Sequence, residues 1–274
     1  MMDNAGALYI LNGKLEESHN FAKLIMPAEG MVYEVIRVIE GVPLFFEDHY
    51  ARMKDSLGGL REELDCSQQE LKRQIRQLVE QNKLVNCNAK LVVYRAEEGR
   101  NLLLYISKSY YPDKEEADRG VRVCLMQLER DNPNMKLLKD DYRKKVSDKL
   151  ESSKAFEVLL VNKDSKITEG SKSNVFFVKG NKVYTAPGEY VLRGITRQYV
   201  IDTCERLGFE VIRTLIGVDS LKDMDGLFIS GTSIKVLPVG QVDDILFNSG
   251  SDPTISAVRE LYDGLLNEYI RNNK

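Results

Sequence analysis

The sequence predicts an α+β protein built as two compact lobes. The chain has 274 residues, 43% of them apolar and only seven proline, which is enough for a large core and near the length at which one core gives way to two. Strand-like and helix-like periodicities alternate from one end to the other. A polar, charged run containing proline, YYPDKEEADRG from Tyr110 to Gly120, separates two stretches that each hold both kinds of element. We read the lobes as residues 1–113 and 120–274.

The elements follow in order. ALYILNGKL opens as a strand running into an Asn-Gly turn at Asn12 and Gly13, and MVYEVIRVIEGVPLFF reads as two β segments joined around Gly41 and Pro43. EDHYARMKDSL turns helical. A second helix starts where Ser67 and Glu70 have capping-box spacing, with Leu71, Ile75 and Leu78 on one face. AKLVVYRAEEGRNLLLYISKSYYP supplies two strands around Glu97 to Gly99. Beyond the linker, VRVCLMQLE is a strand, and Tyr142, Val146 and Leu150 repeat at helical spacing, predicting a helix over roughly Asp140 to Ser153. FEVLLV, NVFFV and KVYTA are strands, GITRQYVIDTCERLG is a helix stopped at Gly208, GFEVIRTLI and DGLFIS are strands, and ISAVRELYDGLLNEYI is a closing amphipathic helix.

Composition excludes several classes of function. A formal charge of −3 gives no clustered basic surface for nucleic acid. No apolar run approaches the roughly 20 residues of a membrane span, and the amino terminus has no basic segment before a long apolar one, so a cytoplasmic location is expected. The four cysteines are far apart with no C-x-x-C pair and read as buried thiols rather than disulfides or metal ligands. The two histidines, His19 and His49, fit neither a zinc-protease nor a Ser-His-Asp pattern, and the glycine-rich nucleotide motifs are absent. Any chemistry then falls to lysines, carboxylates, hydroxyls and backbone amides.

One stretch stands out against that background. ITEGSKSNVFFV, Ile167 to Val178, interrupts a good strand with a carboxylate and five small or polar residues, then resumes it at once. Three other segments could supply an anion site: GITR at Gly194 to Arg197, a helix start with free N–H groups; SGTS at Ser230 to Ser233; and HYAR, which sets His49 and Arg52 three apart on one helix face.

Taken together, VYEVIRV, HYAR, NPNMK, FEVLLV, ITEGSKSNVFF, YTAP, VLRGITRQYVI, LFISGTS and LPV resemble the class IV, fold-type IV family of pyridoxal-phosphate aminotransferases, over about Val32 to Val242. The family includes branched-chain and D-amino-acid aminotransferases and aminodeoxychorismate lyase. The resemblance implies a smaller α/β N-terminal lobe, a larger C-terminal lobe with a β-barrel-like core, and pyridoxal 5'-phosphate as cofactor. It also implies transfer of an amino group between an amino acid and a 2-oxo acid, with a lyase of the aminodeoxychorismate type or a cofactor-binding protein without turnover as the alternatives, in a homodimer that has no nucleic-acid or membrane partner. Carried onto this chain, it places Glu169 against the pyridine nitrogen and makes Lys136, rather than Lys139, the Schiff-base lysine. Arg52, Ile195, Thr196 and Thr232 would hold the phosphate, and Ser173 and Asn174 would line the cofactor. Tyr33, Arg95 and Ser233 would face the substrate. Two departures are visible. The stretch FAKLIMPAEGMVYE keeps only Gly30 of the family's usual glycine pattern, and AKLVVYRA lacks the family's carboxylate clamps, with Arg95 as the replacement.

Overall fold

A computed structural model describes residues 4–24, 27, 30–97 and 99–274. Ile25, Met26, Ala28 and Glu29 of the altered stretch before Tyr33, and Glu98 of the hairpin at Glu97 to Gly99, lie outside the described residues.

The chain divides into two compact units. The first comprises Met1–Tyr110, Met135–Asp140 and Leu266–Lys274, and the second Tyr111–Asn134 and Asp141–Leu265. The division is therefore not the single cut between residues 113 and 120 that the sequence suggested. The stretch read as a linker begins the second unit and holds a short helix, because Asp113 and Glu116 form a reciprocal capping box ahead of Lys114–Arg119.

In the first unit the strands are β1 (Leu8–Leu11), β2 (Lys14–Glu17), β3 (Met31–Ile39), β4 (Val42–Pro43), β5 (Cys87–Ala96) and β6 (Gly99–Ser107), joined in the order β2-β1-β6-β5-β3-β4. Asn12 and Gly13 both take positive φ, 51° and 78°, the backbone a tight hairpin with right-handed twist requires. Helices α1 (Phe46–Gly59) and α2 (Gln68–Gln81) cover one sheet face, where Phe46, Met53, Leu71, Ile75 and Leu78 pack on Val32, Ile36, Leu91 and Val93. Ser67 caps α2 by accepting from the Glu70 amide at 3.2 Å. The opposite face carries Tyr9, Val92, Tyr94, Leu103 and Tyr105, with Tyr33 against them. The two-residue strand β8 (Leu137–Leu138) pairs antiparallel with β3, Met31 with Leu138 and Val32 with Leu137.

The second unit contains α3 (Lys114–Arg119), β7 (Val121–Gln127), α4 (Asp140–Ser153), β9 (Glu157–Val161), β10 (Lys166–Gly170), β11 (Asn174–Lys179), β12 (Lys182–Thr185), α5 (Ile195–Arg206), β13 (Glu210–Arg213), β14 (Ile216–Gly217), β15 (Gly226–Gly231), β16 (Lys235–Val242), β17 (Ile245–Leu246) and α6 (Pro253–Asn273), except that Asp140 and the residues of α6 from Leu266 belong to the first unit. Nine strands run β13-β12-β11-β15-β16-β7-β9-β10-β14, with β17 on β16. The β12–β13, β16–β7 and β7–β9 pairs are parallel, and the rest are antiparallel. One core joins Val123, Leu159, Ile167, Val175, Phe177, Ile229 and Val239, while Val146 of α4 packs on Cys124, Val158 and Leu160. Three of the cysteines are buried as expected; Cys66 is only half-buried, since it lies in the polar approach to α2 rather than in a strand or helix core.

Candidate functional site

In the first unit, strand alternation sends the adjacent residues Tyr33 and Glu34 to opposite faces of β3. Glu34 is in phase with Val32 and Ile36 and so enters the core under α1, where it is 1% exposed. Its carboxylate accepts from Arg52 Nε and Nη2, both at 2.7 Å, and Nδ1 of His49 lies 2.7 Å from Oε2. Burial pushes the Glu34 carboxyl up, but the Arg52 charge and the hydrogen bonds from His49 and Arg52 outweigh it and hold the group at about 2. Burial pushes His49 down, and since Glu34 is ionised the His49 proton sits on Nδ1, which donates. The bidentate fork expected to meet a phosphate is thus closed on Glu34.

On the other face, the Tyr33 amide donates to the Lys136 carbonyl at 3.0 Å, at the start of β8. The Lys136 ammonium lies 4.7 Å from the centre of the Tyr33 ring. Met135 packs over Gly59, where an added Cβ would lie 3.0 Å from the methionine Cε, a tight contact with the far end of a flexible side chain. Arg95 is placed differently from the expectation that it contacts substrate. It follows Leu91 and Val93 on the helix-covered face, is 74% exposed, and donates from Nε and Nη2 to Glu62 at 3.2 and 2.6 Å.

In the second unit, the odd stretch is resolved by a β-bulge. Ile167 pairs with Val161 but Gly170 with Leu159, so Thr168 and Glu169 together oppose one residue of β9. The bulge re-aims Glu169, which is 2% exposed and accepts from the Leu192 amide at 3.0 Å through Oε2. Arg130 Nε is 3.0 Å from Oε1, an ion pair by distance in which the N–H does not point along the contact. Arg130 also donates from Nη2 to the Ser171 carbonyl at 3.0 Å, and the Tyr142 hydroxyl donates to the same oxygen at 3.1 Å.

The turn after Glu169 is organised by Glu157, which the sequence showed only as part of the strand FEVLLV. It accepts from the Ser171 and Ser173 hydroxyls at 2.5 and 3.0 Å, and from the Lys172 and Val158 amides at 3.1 and 2.8 Å. Gly170 has to be glycine, because a Cβ there would sit 2.0 Å from Ser173 Oγ. The hydroxyl of Ser173 therefore builds the turn, and the amide of Asn174 donates to the Leu192 carbonyl at 3.0 Å. Gly194 likewise leaves room for Asn174, whose Oδ1 would lie 2.3 Å from an added Cβ.

Leu192 is the hub. Its amide holds Glu169, its carbonyl takes Asn174 and the Gly194 amide, and Gly194 is the residue before α5. Because glycine contributes no side-chain cap, the N–H groups of Ile195 and Thr196 head the helix without one. The Thr196 side chain is buried. Thr232 and Ser233 follow the end of β15, and the Lys172 carbonyl lies 3.5 Å from the Cβ position of Gly231, which puts their turn beside the Ser171–Ser173 turn. The partly or fully buried residues Glu34, Glu157, Arg130 and Leu192 were missed. Only Glu34 had a signal, a carboxylate in phase with the apolar positions of its strand. Among the described residues no group of three or more His, Cys, Asp or Glu could hold a metal, and no helix is long and apolar enough to cross a membrane.

Comparison with known proteins gives the context. The family profile of class IV amino-transferases matches residues 31–242. A D-alanine aminotransferase of Bacillus licheniformis is 30% identical over 231 residues, covering 80% of this chain and 81% of its own length. A putative branched-chain-amino-acid aminotransferase of Methanocaldococcus jannaschii is 28% identical, covering 87% and 89%. In fold, a T.th. branched-chain amino acid aminotransferase solved with pyridoxamine 5'-phosphate superposes with a TM-score of 0.85 at 22% identity, covering 97% and 96%, and that of Escherichia coli with 0.83 at 21%, covering 95% of each. The fold is thus fold-type IV, and pyridoxal phosphate is the cofactor that goes with it. The chain belongs to the class IV aminotransferase family, whose chemistry is the transfer of an amino group between an amino acid and a 2-oxo acid.

Proposed function

We propose that Lys136 carries the cofactor, that Glu169 faces its ring nitrogen, and that the α5 start, Thr232 and Arg52 hold its phosphate. The observation that carries this reading is the Leu192 hub, which fixes a buried carboxylate and an uncapped helix start in one rigid segment. That donor set fits a flat ligand with a basic ring nitrogen at one end and a phosphate at the other. When bound, pyridoxal phosphate supplies an electron sink for the α-carbon. Glu169 keeps the ring nitrogen protonated, since an opposite charge in a dry site favours the charged form. Lys136, once its amine is released, takes and returns the α-proton.

The amino donor is proposed from the relatives' names: D-alanine or a branched-chain amino acid. A screen of L- and D-amino acids for spectral conversion of the bound cofactor identifies it. The chain is read as a cytoplasmic homodimer on family grounds alone, and a monomer by light scattering at micromolar concentration removes that part. The central test is Glu169→Gln. Cofactor should stay bound while the proton-transfer step slows by about a hundredfold or more, because a neutral amide cannot keep the nitrogen protonated. A near-normal single-turnover rate overturns the assignment of Glu169.

A further inference from the structure

Glu169 stands in a β-bulge, where two residues of β10 oppose one of β9. One-to-one pairing aims a strand side chain, but at a bulge its direction depends on how the chain is held on either side. Before the bulge Ile167 pairs with Val161; after it the chain turns through Gly170 and Ser171, and Glu157 holds that turn. Glu157 begins β9, pairs with Val123 of β7 and is 5% exposed. Its Oε1 takes the Ser171 hydroxyl and the Val158 amide, and its Oε2 the Lys172 amide and the Ser173 hydroxyl. The Ser171 amide donates to the Val158 carbonyl at 2.8 Å, and the Ser171 carbonyl accepts from Arg130 Nη2 and the Tyr142 hydroxyl. Arg130 in turn sets its Nε 3.0 Å from Glu169 Oε1. One buried serine therefore ties the aim of Glu169 and the arginine beside it to the Glu157 carboxylate, all within the second unit.

We propose that Glu157 is a positioning residue for the transfer reaction, acting through Ser171 to hold Glu169 where the Leu192 amide and a ligand's ring nitrogen meet it. This role rests on Glu169 facing the cofactor's ring nitrogen. It calls for a carboxylate, because an amide has one accepting atom, and its NH2 would meet two of the four donors. A displaced Glu169 loses hold of the ring proton, since hydrogen bonds weaken steeply with distance and angle.

The first test needs no cofactor. Hydrogen exchange of the full-length chain, read residue by residue, should show the Leu192 amide, which donates to Glu169, exchanging about ten- to a hundredfold faster in Glu157→Gln. The amides of β15 and β16 should keep wild-type rates. Ser171→Ala removes only the connecting hydroxyl; it should show the same local pattern at smaller size, and it decides the matter if Glu157→Gln does not fold. The second test uses loaded enzyme with D-alanine or L-leucine as donor. The single-turnover proton-transfer rate of Glu157→Gln should fall about ten- to a hundredfold, with half-saturation within about threefold. Added to Glu169→Gln, the same substitution should cost little more, because both act through one carboxylate. If wild type converts neither donor, or Glu169→Gln alone reacts at a near-normal rate, the proposed function fails while the exchange data still judge Glu157. Unchanged Leu192 exchange, a rise spread over the whole unit, or full additivity of the two substitutions overturns the proposal.

Discussion

Replacing Glu34 by glutamine removes one charge and keeps the shape, so its effect isolates the electrostatics under α1. The carboxylate is 1% exposed and accepts three hydrogen bonds at 2.7 Å, two from Arg52 and one from His49. An amide can accept through one atom only, and its NH2 would face the donors of Arg52 and His49. Arg52, itself 10% exposed, would keep a buried charge without its counter-ion. The folded carboxyl is held at about 2 against 4.5 for an ordinary glutamate, a difference equivalent to roughly 3 kcal/mol. That agrees with the loss of about 3–5 kcal/mol seen when one partner of a buried pair is removed. We therefore expect Glu34→Gln to lower unfolding stability by about 3 kcal/mol at neutral pH. Urea titration followed by circular dichroism is the suitable assay, as the chain has no tryptophan. The pH dependence supplies the sign. The folded pKa is depressed, so the stabilisation is fully present above the unfolded value near 4.5 and is lost as pH falls toward 2. The gap between wild type and variant should be constant down to about pH 5 and shrink below it. A gap under about 1 kcal/mol, or one that does not narrow in acid, refutes the reasoning.

Borohydride reduction and peptide mapping should place the cofactor on Lys136, and label on Lys139 would show that the β8 segment has been misassigned. Arg52→Ala should weaken cofactor binding by about tenfold to a hundredfold in equilibrium dialysis, with Arg52→Lys recovering part and Arg61→Ala matching wild type. Equal affinity in all four proteins removes Arg52 from the phosphate site. Gly170→Ala should destabilise by about 1–3 kcal/mol or more, because the new Cβ overlaps Ser173 Oγ. Gly264→Ala, in open space on an exposed helix, should stabilise by up to about 1 kcal/mol, and the same denaturation series ranks the two.

Local structure was legible wherever it was written in neighbouring residues. The Asn12-Gly13 turn and the helix Asp140–Ser153 follow from short-range pattern and are present as read, while of the capping box only the Ser67 half forms, because the Glu70 carboxylate accepts from Arg73 and Gln74 instead. Long-range pairing was not. The strand Leu137–Leu138 is two residues long, too short to show any periodicity, yet it carries Lys136 into the first unit, whereas a continuous cut placed that lysine in the second lobe. The tail of α6 does the same: Tyr269 packs on Phe45 at 4.9 Å and donates to Glu47, contacts that no sequence spacing announces. For Arg95, one side chain near a strand end looked as good as another until the alternation along β5 was anchored by the core. Counting from Leu91 and Val93, which are buried under the helices, puts Arg95 on the helix-covered face and Lys90 on the opposite one.

Three buried glutamates show why side-chain roles are harder to read than elements. Glu34, Glu157 and Glu169 are each at most 5% exposed, and each sits in a β-strand of apolar neighbours. Their partners differ in kind. Glu34 faces an arginine and a histidine, so its charge is neutralised and the cluster acts as a rigid unit. Glu157 faces two hydroxyls and two amides, so it folds a turn around itself. Glu169 accepts the Leu192 amide, with Arg130 set off the hydrogen-bond direction at its other oxygen. A carboxylate saturated by directed donors has little left for a ligand, since each oxygen accepts about two hydrogen bonds. Glu34 and Glu157 are close to that limit, so their carboxylates are spent on holding the fold. The distinction lies in donors supplied by Arg52, Ser173 and Leu192, none of them adjacent in sequence to the glutamate served, and only the folded chain brings them together.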